Sequence, residues 1–228
     1  MKLVFTEHDY HQDCVPVSWG PEDRDVSWVS LFLAGMSESR PELRSDETEI
    51  TTGLFDEFSR ACISAEYSVY AILTYPFEAE FQSRVKELQG SGFNFLTERE
   101  LSARRGLLWR FLRGRVRTGD ILAEGVRWQD VSRWYRDDPV SWSSVSWRVL
   151  ISPRPLKNWV DELVLLRSQG LDKQFLRRTG QVLLNHFEHG MEVIGLEVPI
   201  VPLEEAAKSI SRKFELPLQI NKDRLRNH

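Results

Sequence analysis

The segment around Thr97 constrains the fold more than any other stretch, because three independent signals there agree on one helix start. Thr97 supplies a capping hydroxyl, Glu100 stands where its carboxylate reaches back to the cap's N–H, and Leu96 and Leu101 occupy the two positions of a hydrophobic staple. Leu101, Leu107, Leu108, Phe111 and Leu112 then recur at helical spacing, and Gly114 is placed to end the run in the left-handed conformation. The pattern predicts a helix over 98–113.

The stretch that this helix opens carries the densest positive charge in the chain: six arginines and no acid between residues 101 and 119. Turned at about 100° per residue, Arg110 and Arg113 fall opposite the apolar arc, whereas Arg104 and Arg105 fall inside or beside it. A buried guanidinium without an acceptor is costly, so Arg104 or Arg105 is expected to meet a carboxylate. Arg115 and Arg117 follow Gly114. The surrounding charge is split: residues 1–97 hold 17 acids against 7 Lys and Arg, and residues 98–228 hold 17 acids against 23. Either a basic surface awaits a polyanion, or the halves neutralise each other on folding. The second is favoured, because a dedicated nucleic-acid domain is usually more basic than this.

Short strands are expected at 2–6, 15–19 and 26–34, the last apolar enough to be central. Asp46 with Glu49 gives another box-like helix start, and helical spacing runs from Ile50 to Ile72, although the aromatic and β-branched end of that run also suits a strand; a second helix spans 77–90. Residues 121–138 read as helical through Trp128, Val131 and Trp134, and 145–151 alternate as a half-buried strand. A helical hairpin is expected at 156–168 and 172–189, followed by an extended segment at 191–201, a helix at 203–214 and a strand at 216–220. Parallel outer strands there would suit a right-handed crossover. The class is therefore α+β: short N-terminal strands, a helical middle, and a C-terminal helical hairpin followed by strand, helix and strand. The length suits a single compact domain over 1–228, with any subdivision falling near residue 97.

Val-Ser-Trp occurs four times, starting at Val17, Val26, Val140 and Val145. The spacing is too uneven for a repeat architecture, and the expected reading is a strand fragment with Trp inward, ahead of a Trp-lined groove.

Candidates for chemistry are few. His8 with His11, and His186 with His189, form two H-x-x-H pairs; on a helix such residues share a face, so the four could hold a metal. His186 also continues an apolar face, where a core histidine is the ordinary outcome. Glu78 and Glu80 point to different sides of a helix, and Cys14 has His11 and Asp13 only as sequence neighbours. No phosphate-binding glycine loop, dinucleotide fingerprint, nucleophile elbow or H-E-x-x-H occurs, and no cofactor is indicated.

These readings favour a non-catalytic interaction protein, an adaptor, assembly component or immunity-type or regulatory partner, whose tryptophan- and arginine-bearing surface meets another protein. Nucleic-acid or polyanion binding ranks second, with Arg110, Arg113, Arg115 and Arg117 on phosphates and Trp109 stacking. A metal-dependent enzyme built on the histidine pairs ranks third. No apolar run approaches a membrane span, so a cytoplasmic protein with no membrane partner is expected.

Overall fold

The computed structural model describes residues 1–8, 26–35, 44–63, 66–74, 78–91, 93–97, 100, 120–130, 133, 147–169, 171, 173–186 and 190–222. Its elements are β1 (Lys2–His8), β2 (Ser27–Ala34), α1 (Arg44–Cys62), β3 (Ser68–Thr74), α2 (Glu78–Ser91), β4 (Asn94–Thr97), β5 (Asp120–Glu124), β6 (Trp147–Ser152), α3 (Trp159–Gln169), α4 (Lys173–Thr179), β7 (Gln181–His186), β8 (Gly190–Gly195), α5 (Ile200–Lys213) and β9 (Leu218–Lys222).

The strands form one mixed sheet in the order β4-β5-β3-β6-β7-β8-β2-β1-β9. Every neighbouring pair is antiparallel except β1 with β9, and the fold is α+β. Strands from before and after residue 97 interleave in it. Because β8 is antiparallel to β2, and β2 to β1, β8 and β9 point the same way. The unit β8-α5-β9 is thus the parallel crossover that the closing strand, helix, strand order suggested, passing over β2 and β1.

Alternation along the strands feeds two cores. Leu3 and Phe5 of β1, Val29, Leu31 and Leu33 of β2, and Val69, Ala71 and Leu73 of β3 pack with α1, α2 and α5 on one face. Phe55, Phe58 and Leu54 of α1 are among the largest fully buried side chains there. On the other face, Tyr70, Ile72, Leu122, Leu150 and Val182 pack with Trp159 and Leu163 of α3 and with Phe175 and Leu176 of α4. Strand β9 is held at the margin by Lys222, whose ammonium lies 2.8 Å from Glu204 on α5. No described helix is long and apolar enough to cross a membrane.

Several expected boundaries need correction. The helical run from Ile50 stops at Cys62, and residues 68–74 form β3, as their β-branched and aromatic content allowed. Residues 120–124 are strand, not the start of a helix, because they pair with β3 on one side and β4 on the other; a helical turn begins only at Trp128. The helix predicted over 172–189 ends at Thr179, and residues 181–186 become β7, paired to β6 and β8. Gly180 makes that break: its φ is +118°, and its N–H donates to Leu176 O at 2.8 Å. Helix α1 also begins at Arg44, and the segment at 191–195 gives way to helix at Ile200, after Pro199. The first and third Val-Ser-Trp copies lie outside the described residues; the second places Trp28 half-buried on β2, against the core under α3 and α4.

A Cβ on Gly180 would meet Ile151 O at 2.3 Å, whereas one on Gly90 would meet nothing within 4 Å. Gly180→Ala is therefore expected to cost about 1–3 kcal/mol, and Gly90→Ala, on an exposed helical position, to gain up to about 1 kcal/mol. Urea unfolding of the two variants beside the parent chain measures both.

Candidate functional site at one end of the sheet

Among the described residues, polar groups and space coincide at one end of the sheet, where β3 and β7 begin and β5, β6 and β8 finish. Two hollows open there, sharing Tyr67 and flanking the segment 152–155.

The larger, of about 700 Å³, is walled by Tyr67, Tyr70, Val126, Arg127, Trp128 and Pro155. Tyr70 reaches across from β3, its ring stacked on Trp159 at 6.0 Å, and its hydroxyl accepts the Leu156 N–H at 2.8 Å. The wall after β6 is therefore tied to the sheet. On the opposite side Asp130, itself buried, accepts from the Arg127 backbone N–H at 3.1 Å and from its guanidinium at 2.8 and 3.0 Å. That bidentate grip raises the Arg127 pKa above its ordinary value, through the hydrogen bonds first and charge second. Trp128 lies under the Arg60 guanidinium, 4.6 Å from the ring centre, and Arg60 is held by Asp56 at 3.1 Å.

The smaller hollow, of about 270 Å³, is bordered by Arg154, Arg177, Arg178, Gln181 and Glu197 together with Tyr67. Ser152 shapes one rim, its hydroxyl donating to Arg154 O at 2.7 Å and accepting the Arg154 N–H at 3.4 Å. Helix α4 brings Arg177 and Arg178 in its last turn, and Arg178 pairs with Glu162 at 3.2 Å. Gln181 begins β7 and is 4% exposed.

The sequence-predicted candidates fall elsewhere. Trp109, Arg110, Arg113, Arg115 and Arg117, with Arg104 and Arg105, lie outside the described residues, as do His11 and His189. The reciprocal capping bonds ahead of them are described: Thr97 N–H donates to Glu100 Oε2 at 2.7 Å, and Glu100 N–H donates to Thr97 Oγ1 at 3.3 Å. His8 ends β1 with Nε2 and Ser30 Oγ 2.5 Å apart and its ring stacked on Trp28 at 4.1 Å. His186 ends β7, a strand and not the helix on which the pair was expected. Three strand spacings and four register positions separate the two, roughly 19 Å between Cα atoms. Among the described residues no three His, Cys, Asp or Glu side chains are grouped to hold a metal. Tyr67, Arg127, Arg154, Arg177, Arg178 and Gln181 were missed, because each gains its place only when β3, β5, β6 and β7 align. The one local signal was Gly180, which marks a turn directly after the Arg177-Arg178 pair.

An α+β protein with an aromatic hollow and an arginine-bordered hollow at one sheet end is what the geometry defines. No protein-family model matches the chain, and no curated protein or solved structure gives a significant match to it.

Glu100→Ala removes the return half of the cap and is expected to cost about 1 kcal/mol, read from chemical denaturation. Burial pushes the Cys62 thiol far above its ordinary range. In a Cys14→Ser background, Cys62 is therefore expected to react with a thiol reagent only at the rate of unfolding; fast labelling of the native chain at neutral pH would contradict it.

Proposed function

We propose that this chain is a non-catalytic interaction protein whose larger sheet-end hollow receives a segment of a partner protein carrying an apolar anchor and an acid. The carrying observation is the composition of that hollow: Tyr67, Tyr70 and Trp128 around an apolar floor, with Arg127 at the rim, its side chain 71% exposed. Tyrosine, tryptophan and arginine supply most of the energy in protein interfaces, since they combine large contact area with a polar handle. Much of the wall is held before any partner arrives, by the Tyr70–Leu156 and Arg127–Asp130 bonds, which lowers the ordering cost of association. Arg127 spends Nε and one terminal nitrogen on Asp130, which leaves its remaining exposed N–H groups to donate to an acceptor on the partner. A cytoplasmic setting belongs to the same proposal.

The test uses the exposed lining position Gln129. The full chain is used to capture partners from its native host, beside Gln129→Glu, Tyr67→Ala and a nuclease-treated control. The expected result is one protein recovered in stoichiometric yield with the parent chain, unaffected by nuclease and reduced about tenfold or more by both variants while circular dichroism is unchanged. Capture indifferent to both variants overturns the reading. Recovery of nucleic acid, lost at high salt, would transfer the function to polyanion binding through the basic segment 98–117.

A further inference from the structure

Among the described residues the sheet ends at β9, and the outer edge of that strand is open. Strand β9 pairs in parallel with β1, and the Leu3 N–H donates to Pro217 O at 2.9 Å. In a parallel ladder that bond turns the backbone groups of Pro217, Gln219 and Asn221 toward β1, and those of Leu218, Ile220 and Lys222 away from it. An unpaired row of N–H and C=O groups is a template for another strand. Both ends of this template are held. Before it, Glu215 takes φ +53°, the Leu216 N–H donates to Ser211 O at 2.9 Å, and the Ser211 hydroxyl donates to Leu216 O at 2.6 Å. At its far end the Lys222 ammonium lies 2.8 Å from Glu204 on α5.

Edge strands are commonly blunted by charge. Here Leu216 to Asn221 carry none, and Lys222 stands at the end of the strand with its ammonium drawn to α5. The middle residue, Ile220, is 36% exposed and shares a face with its register partner Phe5. Gln219 and Asn221 take the other face, where Lys2 donates to Gln219 Oε1 at 2.7 Å and Gln219 Nε2 donates to Asn221 Oδ1 at 2.9 Å. Each of the two amides keeps a further N–H and a lone pair.

This pattern is complementary to itself. Set antiparallel to a copy about a twofold axis through Ile220, the strand places Ile220 on its counterpart, Gln219 on Asn221, and Leu218 on the aliphatic stem of Lys222. The two lysines fall at opposite ends of the ladder, and the outward groups of residues 218, 220 and 222 exchange N–H···O bonds in pairs. We infer that the chain forms a twofold dimer through β9, the two sheets joining edge to edge. A closed twofold pair is the commonest assembly of identical chains, and this one uses no residue that borders either hollow.

Analytical ultracentrifugation of the full chain from about 1 to 500 µM is expected to show monomer and dimer in equilibrium, with a Kd of roughly 1–100 µM for so short a contact. Ile220→Pro removes an outward N–H only, which an edge strand tolerates, and is expected to weaken the dimer about tenfold or more with circular dichroism unchanged. Ile220→Lys and Ile220→Glu each set like charges together at the axis and are expected to weaken it to a similar degree, whereas an equimolar mixture of the two restores association. Should Ile220→Pro fail to fold, the two charged variants, at an exposed position, decide the matter. A chain monomeric throughout overturns the proposal and would leave the edge to an extended segment of a different protein. A dimer indifferent to all three variants overturns the β9 interface, and a mixture that stays monomeric overturns the twofold through Ile220.

Discussion

The strands at the centre of the sheet have no solvent face, and the rest of the structure follows from that. Along β3, Val69, Ala71 and Leu73 enter one core while Tyr70 and Ile72 enter the other; along β6, Val149 and Ile151 oppose Leu150. Antiparallel sheets commonly leave one face wet, whereas burial on both faces requires helices on both. Helices α1, α2 and α5 supply one cover, and α3 with α4 the other. Polar groups caught between them must be bonded, as Thr179 is to Phe175 O at 2.7 Å and Ser59 is to Phe55 O at 2.6 Å. Chemistry is thereby pushed toward the strand ends, where side chains leave the layers and the connections begin.

At the end where the two hollows lie, prolines and glycines shape the described turns. Pro153 and Pro155 bracket Arg154, Gly180 turns α4 directly into β7, and Gly125 with φ +70° turns the chain after β5. Each turn leaves little freedom to the residue that follows it, namely Arg154, Gln181 or Val126, whose N–H donates to Val69 O at 3.1 Å. Side chains carried on such supports need little further ordering when a ligand arrives.

Local chemistry was legible in the sequence wherever it did not depend on a distant strand. The reciprocal bonds of Thr97 and Glu100 follow from a spacing of three, and β2 was recognisable as a central strand from its apolar run alone. Periodicity misled where pairing outweighed it. The apolar residues of 181–186 continue a helical pattern from α4, yet two flanking strands offer ladders that a helix there would leave unfilled. The hollows were illegible for the same reason. Tyr67 and Pro155 are 88 positions apart, and only the β3–β6 register brings them to one wall.

The charge split between the two halves of the chain also takes on physical meaning. Most described ion pairs close within one helical turn: Arg60 with Asp56, Arg84 with Glu87, Lys208 with Glu204 and Glu205, Arg127 with Asp130. Pairs of that kind cancel charge inside a half and leave its net value untouched. Arg133 with Glu87, at 3.0 Å, does join the basic half to the acidic one. At the sheet end the cations bordering the hollows, Arg127, Arg154, Arg177 and Arg178, all come from the basic half. Interleaving the two halves in one sheet has brought these basic groups together at a single end, beside the tyrosines of β3 and the segment leading into it.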